Sequence, residues 1–265
     1  MSGRLENKVA VVTGAARGIG RGCAEMLAAQ EAHVVAADMN LREGEATVDS
    51  ISHSGGSATF RHVDITSEEQ CGDLMAYAVS TYGRLDGLVN NAGWFPRATL
   101  EETTTELWER VLAIDLRGAF YCCKHAVPHL REAGGGSIVN MGSVHGIQGS
   151  PNLFAYSAAK GGLLAMTRTL AGAYASENIR VNYVIPGWVL TEAEIEMQRS
   201  QGMSEDDLRR AGASLPLGRH QTIKDVAYAI VYLISDESSQ VTGTVLPVDA
   251  GVSALPIRPQ GEYPA

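Results

Sequence analysis

Tyr156 and Lys160 stand four residues apart in a segment with helix-type spacing, so both side chains fall on one helix face and can point at one ligand. A phenol with a pKa of about 10 is a poor base at neutral pH. A nearby ammonium favours the phenolate and brings that pKa down. A phenol tuned in this way takes the proton of an alcohol during oxidation, or gives it back during reduction of a carbonyl. Ser143, thirteen residues before Tyr156, follows an apolar strand and can hydrogen-bond the same substrate oxygen.

A second set of residues fits a dinucleotide. The apolar run Val9–Val12 leads into Thr13-Gly14-Ala15-Ala16-Arg17-Gly18-Ile19-Gly20, and a helical pattern follows over Cys23–Ala29. Glycines at such a turn let backbone approach a pyrophosphate, whose charge is met by the unpaired N–H groups of the helix start. The spacing is G-x-x-x-G-x-G, which differs from the common G-x-G-x-x-G. The next strand, His33–Ala37, ends at Asp38, eighteen residues beyond Gly20. A carboxylate there accepts hydrogen bonds from ribose hydroxyls and repels a 2′-phosphate, which favours NAD over NADP. Arg17 in the same loop works against that preference. The plainer role for Asp38 is to cap a helix beginning near Leu41.

These groups need a frame. Short apolar runs at Val9–Val12, His33–Ala37, Thr59–Val63, Gly87–Val89, Ser137–Met141, Arg180–Ile185 and Thr244–Val248 alternate with helical patterns such as Glu68–Tyr82, Thr105–Glu132 and Ser157–Ser176. The alternation predicts βαβ crossovers and a mostly parallel sheet. The near-continuous apolar strands predict a sheet covered on both faces. No linker, repeat or low-complexity segment divides residues 1–265, so a single doubly wound α/β domain of seven strands is expected, with ligands at the carboxyl ends of the strands. The acidic stretch Glu192–Asp207 and the tail after Gly251 read as irregular, the former as a solvated amphipathic lid over the substrate site.

Composition removes other classes. Of 265 residues, 21 are Lys or Arg and 30 are Asp or Glu, a formal net charge of -9 that argues against nucleic acid and anionic membrane surfaces as partners. The longest stretch free of Asp, Glu, Lys and Arg, Ala133–Ala159, carries six glycines and four serines and is no spanning helix. Val9–Val12 reads as a buried strand rather than the core of a signal peptide. Cys23, Cys71, Cys122 and Cys123 form no CxxC and no disulfide framework, so a cytoplasmic protein with free thiols is expected.

Taken together, Thr13-Gly14-x-x-x-Gly18-x-Gly20, Asn90-Asn91-Ala92-Gly93, Ser143, Tyr156-x-x-x-Lys160 and Pro186-Gly187 resemble the short-chain dehydrogenase/reductase family in order and spacing over roughly residues 5–251. The resemblance implies a Rossmann-like three-layer α/β/α sandwich with a seven-stranded parallel sheet. It implies a homotetramer, with subunit contacts through the helix Asp225–Ile234 and the strand Thr244–Val248. Ser143, Tyr156 and Lys160 become the reaction centre, and Lys160 also binds the nicotinamide ribose. The glycine loop, including Ile19, and Asp38 hold the cofactor. Asp64 with Ile65 matches the acidic position near the adenine. Asn90, Ala92 and Gly93 line the ribose and stabilise the central sheet, with purely structural strand bridging the other role open to Asn90. Pro186, Gly187, Val189 and Thr191 match the nicotinamide-side loop. One catalytic position departs from the family. Where it usually carries Asn in Asn-x-x-Gly, holding a proton-relaying water, this chain has Asp115-Leu-Arg-Gly118. An ionised Asp accepts hydrogen bonds and donates none, so the relay or its pH dependence is altered unless a backbone carbonyl holds the water.

The expected activity is NAD-dependent interconversion of a secondary alcohol and its carbonyl. Trp94, Phe95, Arg97, His145, Gln148, Asn152 and Trp188 are candidates for the substrate wall. They mix aromatic with hydrogen-bonding groups, as a sugar, polyol or hydroxy acid would need. Two other readings compete: a 3-oxoacyl thioester reductase, which usually goes with NADP and sits poorly with Asp38, and a catalytically idle dinucleotide-binding protein. A sugar-nucleotide epimerase would want an added C-terminal domain, for which fourteen residues after Gly251 leave no room. His125 and His129, with Cys122 and Cys123, could suggest a metal, but the zinc-protease pattern needs Glu where Ala126 stands, and no metal is expected.

Overall fold

The computed structural model of the chain describes residues 3–254. Seven strands, β1 (Val9–Thr13), β2 (His33–Asp38), β3 (Ser57–His62), β4 (Gly87–Asn90), β5 (Gly136–Met141), β6 (Ile179–Pro186) and β7 (Val245–Val248), form one sheet in the order 3-2-1-4-5-6-7. Every pairing is parallel, with Val11 opposite both Val35 of β2 and Leu88 of β4. The order reverses between β1 and β4, which puts the switch point beside the glycine loop.

Alternate residues of each strand feed two cores. Ala10, Val12, Val34 and Ala36 pack against Leu27 of α1 (Gly18–Ala29), Ile51 of α2 (Leu41–His53) and Ile230 of α10 (Ile223–Ile234). Val9, Val11, Val35 and Leu88 face Leu74 of α3 (Glu68–Tyr82) and Leu130 of α5 (Gly118–Glu132), with Ala171 of α7 (Phe154–Tyr174) in the same cluster. Helices cover both faces, as the apolar strands require. Among the described residues no helix is long and apolar enough to cross a membrane.

Two expectations change. The pattern Thr105–Glu132 is not one helix: α4 (Thr105–Leu112) passes into a π-helical turn at Ala113–Arg117 before α5, and the Gly118 N–H donates to the Ala113 carbonyl. The acidic stretch is not irregular. It holds α8 (Glu192–Ser200) and the start of α9 (Glu205–Ser214). Its carboxylates sit in the first turns of these helices, where the dipole favours negative charge. Thr191 caps α8 through the Glu194 N–H, and Ser204 and Asp207 form a reciprocal capping box on α9. The tail after Gly251 continues through a short 3₁₀ turn at Val252–Ala254, and the rest of it lies outside the described residues.

Candidate active site

A cleft of about 1090 Å³ opens at the carboxyl ends of the strands, with α8 and α9 along one rim. Its β1–β2 side begins with the glycine loop. Gly14 has φ of 66°, and a Cβ on Gly20 would lie 2.1 Å from the Gly14 carbonyl oxygen, so neither position accepts a side chain without rearrangement. Asn91 closes the loop from the neighbouring strand end, donating through Nδ2 to the carbonyls of Thr13 (3.0 Å) and Gly14 (3.1 Å). Helix α1 starts at this loop with no side-chain cap on Arg17 and no acidic residue in its first turn. By contrast, α2, α3 and α4 are capped by Asn40, Ser67 and Thr104. An uncapped helix start facing a glycine cradle is the donor set an anionic pyrophosphate uses.

Asp38 does not cap α2. Its Oδ2 accepts the Ala16 N–H at 3.0 Å, tying β2 to the glycine loop, and its Oδ1 accepts the Asn40 N–H at 2.9 Å. Its carboxylate lines the cleft beside Arg17, Gly18 and Ile19. Asp64 and Ile65 line the same side, with Asp64 Oδ1 turned onto the N–H and hydroxyl of Thr66. Ala92, Gly93, Pro186, Gly187, Val189 and Thr191 line the floor. Asn90 is not brought there. It is buried in the sheet, donating to Asn140 Oδ1 at 2.8 Å and to Cys123 Sγ at 3.3 Å, and Asn91 occupies the cleft wall instead. Gly20 also lies behind the lining residues.

Past the switch point, β5 and α7 deliver Ser143, Tyr156 and Lys160 to one end of the cleft. Ser143 Oγ accepts the His145 N–H (3.2 Å) at the start of α6 (His145–Gln148). Lys160 is only 4% exposed; its Nζ donates to the Met141 carbonyl at 3.1 Å and stands 5.4 Å from the centre of the Tyr156 ring. Tyr183 of β6, which reads as a core residue in the sequence, organises this set. Its hydroxyl accepts the Ser143 N–H at 3.3 Å and donates to the Lys160 carbonyl at 3.0 Å. A tyrosine inside an otherwise apolar strand is the signal for such a role, because its buried O–H must find partners. Burial pushes that phenol up to about 12.

Asp115 is drawn under this set by the π turn and does not line the cleft. At 1% exposure, its Oδ2 accepts the Trp94 N–H at 3.0 Å and its Oδ1 lies 3.3 Å from Lys160 Nζ. Burial raises its carboxyl above the usual range, against the pull of Lys160. The Tyr156 phenol is also raised, by burial first and then by the Asp115 carboxylate, while the Ser143 hydroxyl acts the other way. This direction is opposite to the one expected from Lys160 alone.

Of the residues expected to form the substrate wall, all but Asn152 reach the cleft. Trp94, Phe95, Arg97, His145, Gln148 and Trp188 line the cleft, whereas the Asn152 carbonyl accepts the Ala98 N–H in the loop below. Phe95 packs on the Tyr156 ring at 5.9 Å, and Trp188 donates to Glu194 at 2.8 Å, tying it to α8. Cys122 and Cys123 belong to the core, His125 lies 3.4 Å from Glu68, and His129 lies 3.5 Å from Glu132. Among the described residues no three His, Cys, Asp or Glu side chains form a group that could hold a metal ion.

The switch-point cleft holds the glycine loop at one side and Ser143, Tyr156 and Lys160 at the other, and the chain belongs to the short-chain dehydrogenase/reductase family. A family model described as enoyl-(acyl carrier protein) reductase matches residues 14–253. A trans-4-hydroxycyclohexanecarboxylate dehydrogenase of Sinomonas cyclohexanicum is 40% identical over 260 residues, covering 96% of each chain. A 3-oxoacyl-[acyl-carrier-protein] reductase of Thermotoga maritima is 37% identical over 249 residues, covering 94% of this chain and 99% of its own. The crystal structure of a short-chain dehydrogenase/reductase from Burkholderia xenovorans superposes with a TM-score of 0.91 at 37% identity, covering 96% of this chain and 100% of that one. The chain is thus an oxidoreductase acting on CH–OH groups, in a family that typically uses a nicotinamide dinucleotide.

Proposed function

We propose that the chain is an NAD-dependent dehydrogenase of a secondary alcohol that carries a carboxylate, working through Ser143, Tyr156 and Lys160. The observation that carries the reading is the convergence of these three side chains at one end of a cleft whose other side holds the glycine cradle and Asp38. Ser143 and Tyr156 hold the substrate oxygen, and Tyr156 accepts its proton as the alcohol is oxidised. Lys160 stands behind the ring, where its charge favours the phenolate. When bound, the oxidised dinucleotide supplies the acceptor for the hydride of the carbinol carbon. Gly14, Arg17, Gly18 and Ile19, the α1 amides, Asp38, Asp64 and the Pro186–Thr191 loop would hold it.

Arg97 supports a hydroxy acid over a neutral sugar or polyol. It lines the cleft beside Phe95 and His145, is exposed, and has no ion-pair partner among the described residues. A guanidinium so placed suits a carboxylate, which it can bind through two parallel hydrogen bonds. The name of the Sinomonas relative, a hydroxycyclohexanecarboxylate dehydrogenase, agrees with that choice. The Thermotoga relative keeps the 3-oxoacyl reductase as the second reading, and cofactor preference separates the two. With Asp38 facing a 2′-phosphate, catalytic efficiency with NAD should exceed that with NADP by at least about tenfold, or about 1.4 kcal/mol. Asp38→Ser should narrow the gap, and equal efficiency in the unaltered chain would overturn the assignment.

The lid gives a second check. If α8 and the start of α9 close over substrate, amides of Glu192–Asp207 should gain hydrogen-exchange protection when NADH and a substrate analogue are both present. Protection unchanged in the ternary complex would reject closure. Assembly as a cytoplasmic homotetramer is part of the same proposal. The half-exposed edge strand β7 and the exposed Tyr228 of α10 support it as subunit surface.

A further inference from the structure

We propose that Asp115 is a counter-charge to Lys160 that keeps Tyr156 protonated to higher pH than an amide at this position would, and so sets the alkaline limit of the reaction. This deepens the reading above and rests on Tyr156 as the proton-transfer group.

The geometry sets a carboxylate against the ammonium. The π turn carries Asp115 inward, and the Trp94 N–H fixes one oxygen at 3.0 Å. The other oxygen is fully buried, has no hydrogen-bond partner, and lies 3.3 Å from Lys160 Nζ. Space for it exists because residue 93 is glycine; a Cβ there would sit 2.7 Å from that oxygen. The other contact of the ammonium is the neutral Met141 carbonyl at 3.1 Å. An asparagine would present a dipole to Lys160, whereas an ionised Asp115 opposes the field that Lys160 exerts on the Tyr156 ring 5.4 Å away. Burial is the first cause that raises the Tyr156 phenol, and the Asp115 carboxylate adds to it.

No other group nearby supplies the same charge. From β6, Tyr183 meets Lys160 and Ser143 only through its hydroxyl. From α6, His145 is held below its ordinary pKa by burial, against a backbone hydrogen bond with Gly149 and assisted by Arg97, so it brings no negative charge. On the loop after β4, Phe95 touches the phenol ring, while Arg110 of α4 is held over the Trp94 indole, 4.7 Å from its centre. Arg117 of the π turn lines the cleft. Across the cleft, Glu192 and Glu194 stand on α8, and Glu194 is bonded to Trp188 and Gln198. Of all these, only Asp115 is within ion-pair distance of Lys160 among the described residues.

Oxidation needs the phenolate and reduction needs the phenol, so a raised Tyr156 pKa delays the rise of the first and extends the second toward alkaline pH. Asp115→Asn in the full chain should therefore move both pH profiles of kcat/KM in the same direction, to lower pH. The shift should be about one unit or more, equivalent to about tenfold more phenolate at a pH below both midpoints. An independent readout needs no turnover. The phenolate absorbance of the cofactor-free chain, less that of Tyr156→Phe, gives the Tyr156 midpoint with and without Asp115→Asn. Asp115→Ser repeats both measurements in case the amide disturbs folding. A midpoint lowered in both assays supports the proposal; one that stays within about 0.3 unit, or rises, overturns it. Should Tyr156→Phe prove active, the proton path fails instead, and the absorbance midpoint still decides the role of Asp115 by itself.

Discussion

Turnover of Tyr156→Phe is expected to fall at least about a hundredfold, within the range of about 10²–10⁴ that a positioned acid–base group contributes. The substitution keeps the ring, and with it the contact to Phe95 at 5.9 Å and the packing around Lys160. It removes the one oxygen assigned to take the alcohol proton. NADH affinity should barely change, because the glycine loop, the uncapped start of α1 and the Asp38 carboxylate all lie on the β1–β2 side of the cleft. Stopped-flow hydride transfer together with NADH fluorescence titration separates the two quantities. A loss of affinity equal to the loss of turnover would mean that Tyr156 serves binding rather than proton transfer.

Lys160→Ala should act on three properties at once. Turnover should fall by about 10² or more as Tyr156 loses its ammonium, and NADH should bind more weakly if Lys160 is the ribose ligand that the family resemblance implies. Stability should fall as well. Lys160 and Asp115 are 4% and 1% exposed, and removing one member of a buried pair typically costs about 3–5 kcal/mol because the other charge is left uncompensated. The cost should depend on pH. The Asp115 carboxyl is already raised by burial, and without Lys160 it is raised further. A group with a raised folded-state pKa contributes stability below its unfolded value, about 3.9, and loses it as pH rises through the folded one. The melting temperature of Lys160→Ala should therefore drop relative to the unaltered chain as pH climbs above the ordinary carboxylate range, and recover toward acid. A deficit that does not vary with pH would mean that Asp115 is not the stranded charge.

Much of this was legible in the sequence, for physical reasons that also mark where reading stops. Strands buried on both faces announce themselves as apolar runs, and β1 to β7 fall within a few residues of the expected segments. Tyr156 and Lys160 are related by helical spacing alone, so their convergence needs no tertiary information. The π turn at Ala113–Arg117 leaves no such trace, because one extra residue in a turn does not disturb an apolar pattern enough to be seen. Asp115 could be flagged as a departure, but its contact with Lys160 depends on that turn and on the space left at Gly93. Asn90 and Asn91 show the limit in another way. They are chemically identical neighbours, and only the strand end decides that the first enters the sheet and the second reaches the glycine loop. The acidic stretch misleads for a different reason: its charges mark two helix starts, and their positions relative to Thr191 and Ser204 carry more information than their number.

The proposed reaction is oxidation of a carboxylate-bearing secondary alcohol by NAD, with Tyr156 taking the proton. The most direct measurement is the appearance of NADH absorbance when the full chain meets NAD and a panel of secondary alcohols that includes both 4-hydroxycyclohexanecarboxylate isomers and the uncharged cyclohexanol, run beside Tyr156→Phe and beside NADP. Absorbance is expected with NAD, faster for the charged alcohols than for cyclohexanol, and at least about a hundredfold slower in Tyr156→Phe. Turnover of the panel at equal rates by the unaltered chain and Tyr156→Phe, or turnover supported by NADP alone, would contradict it.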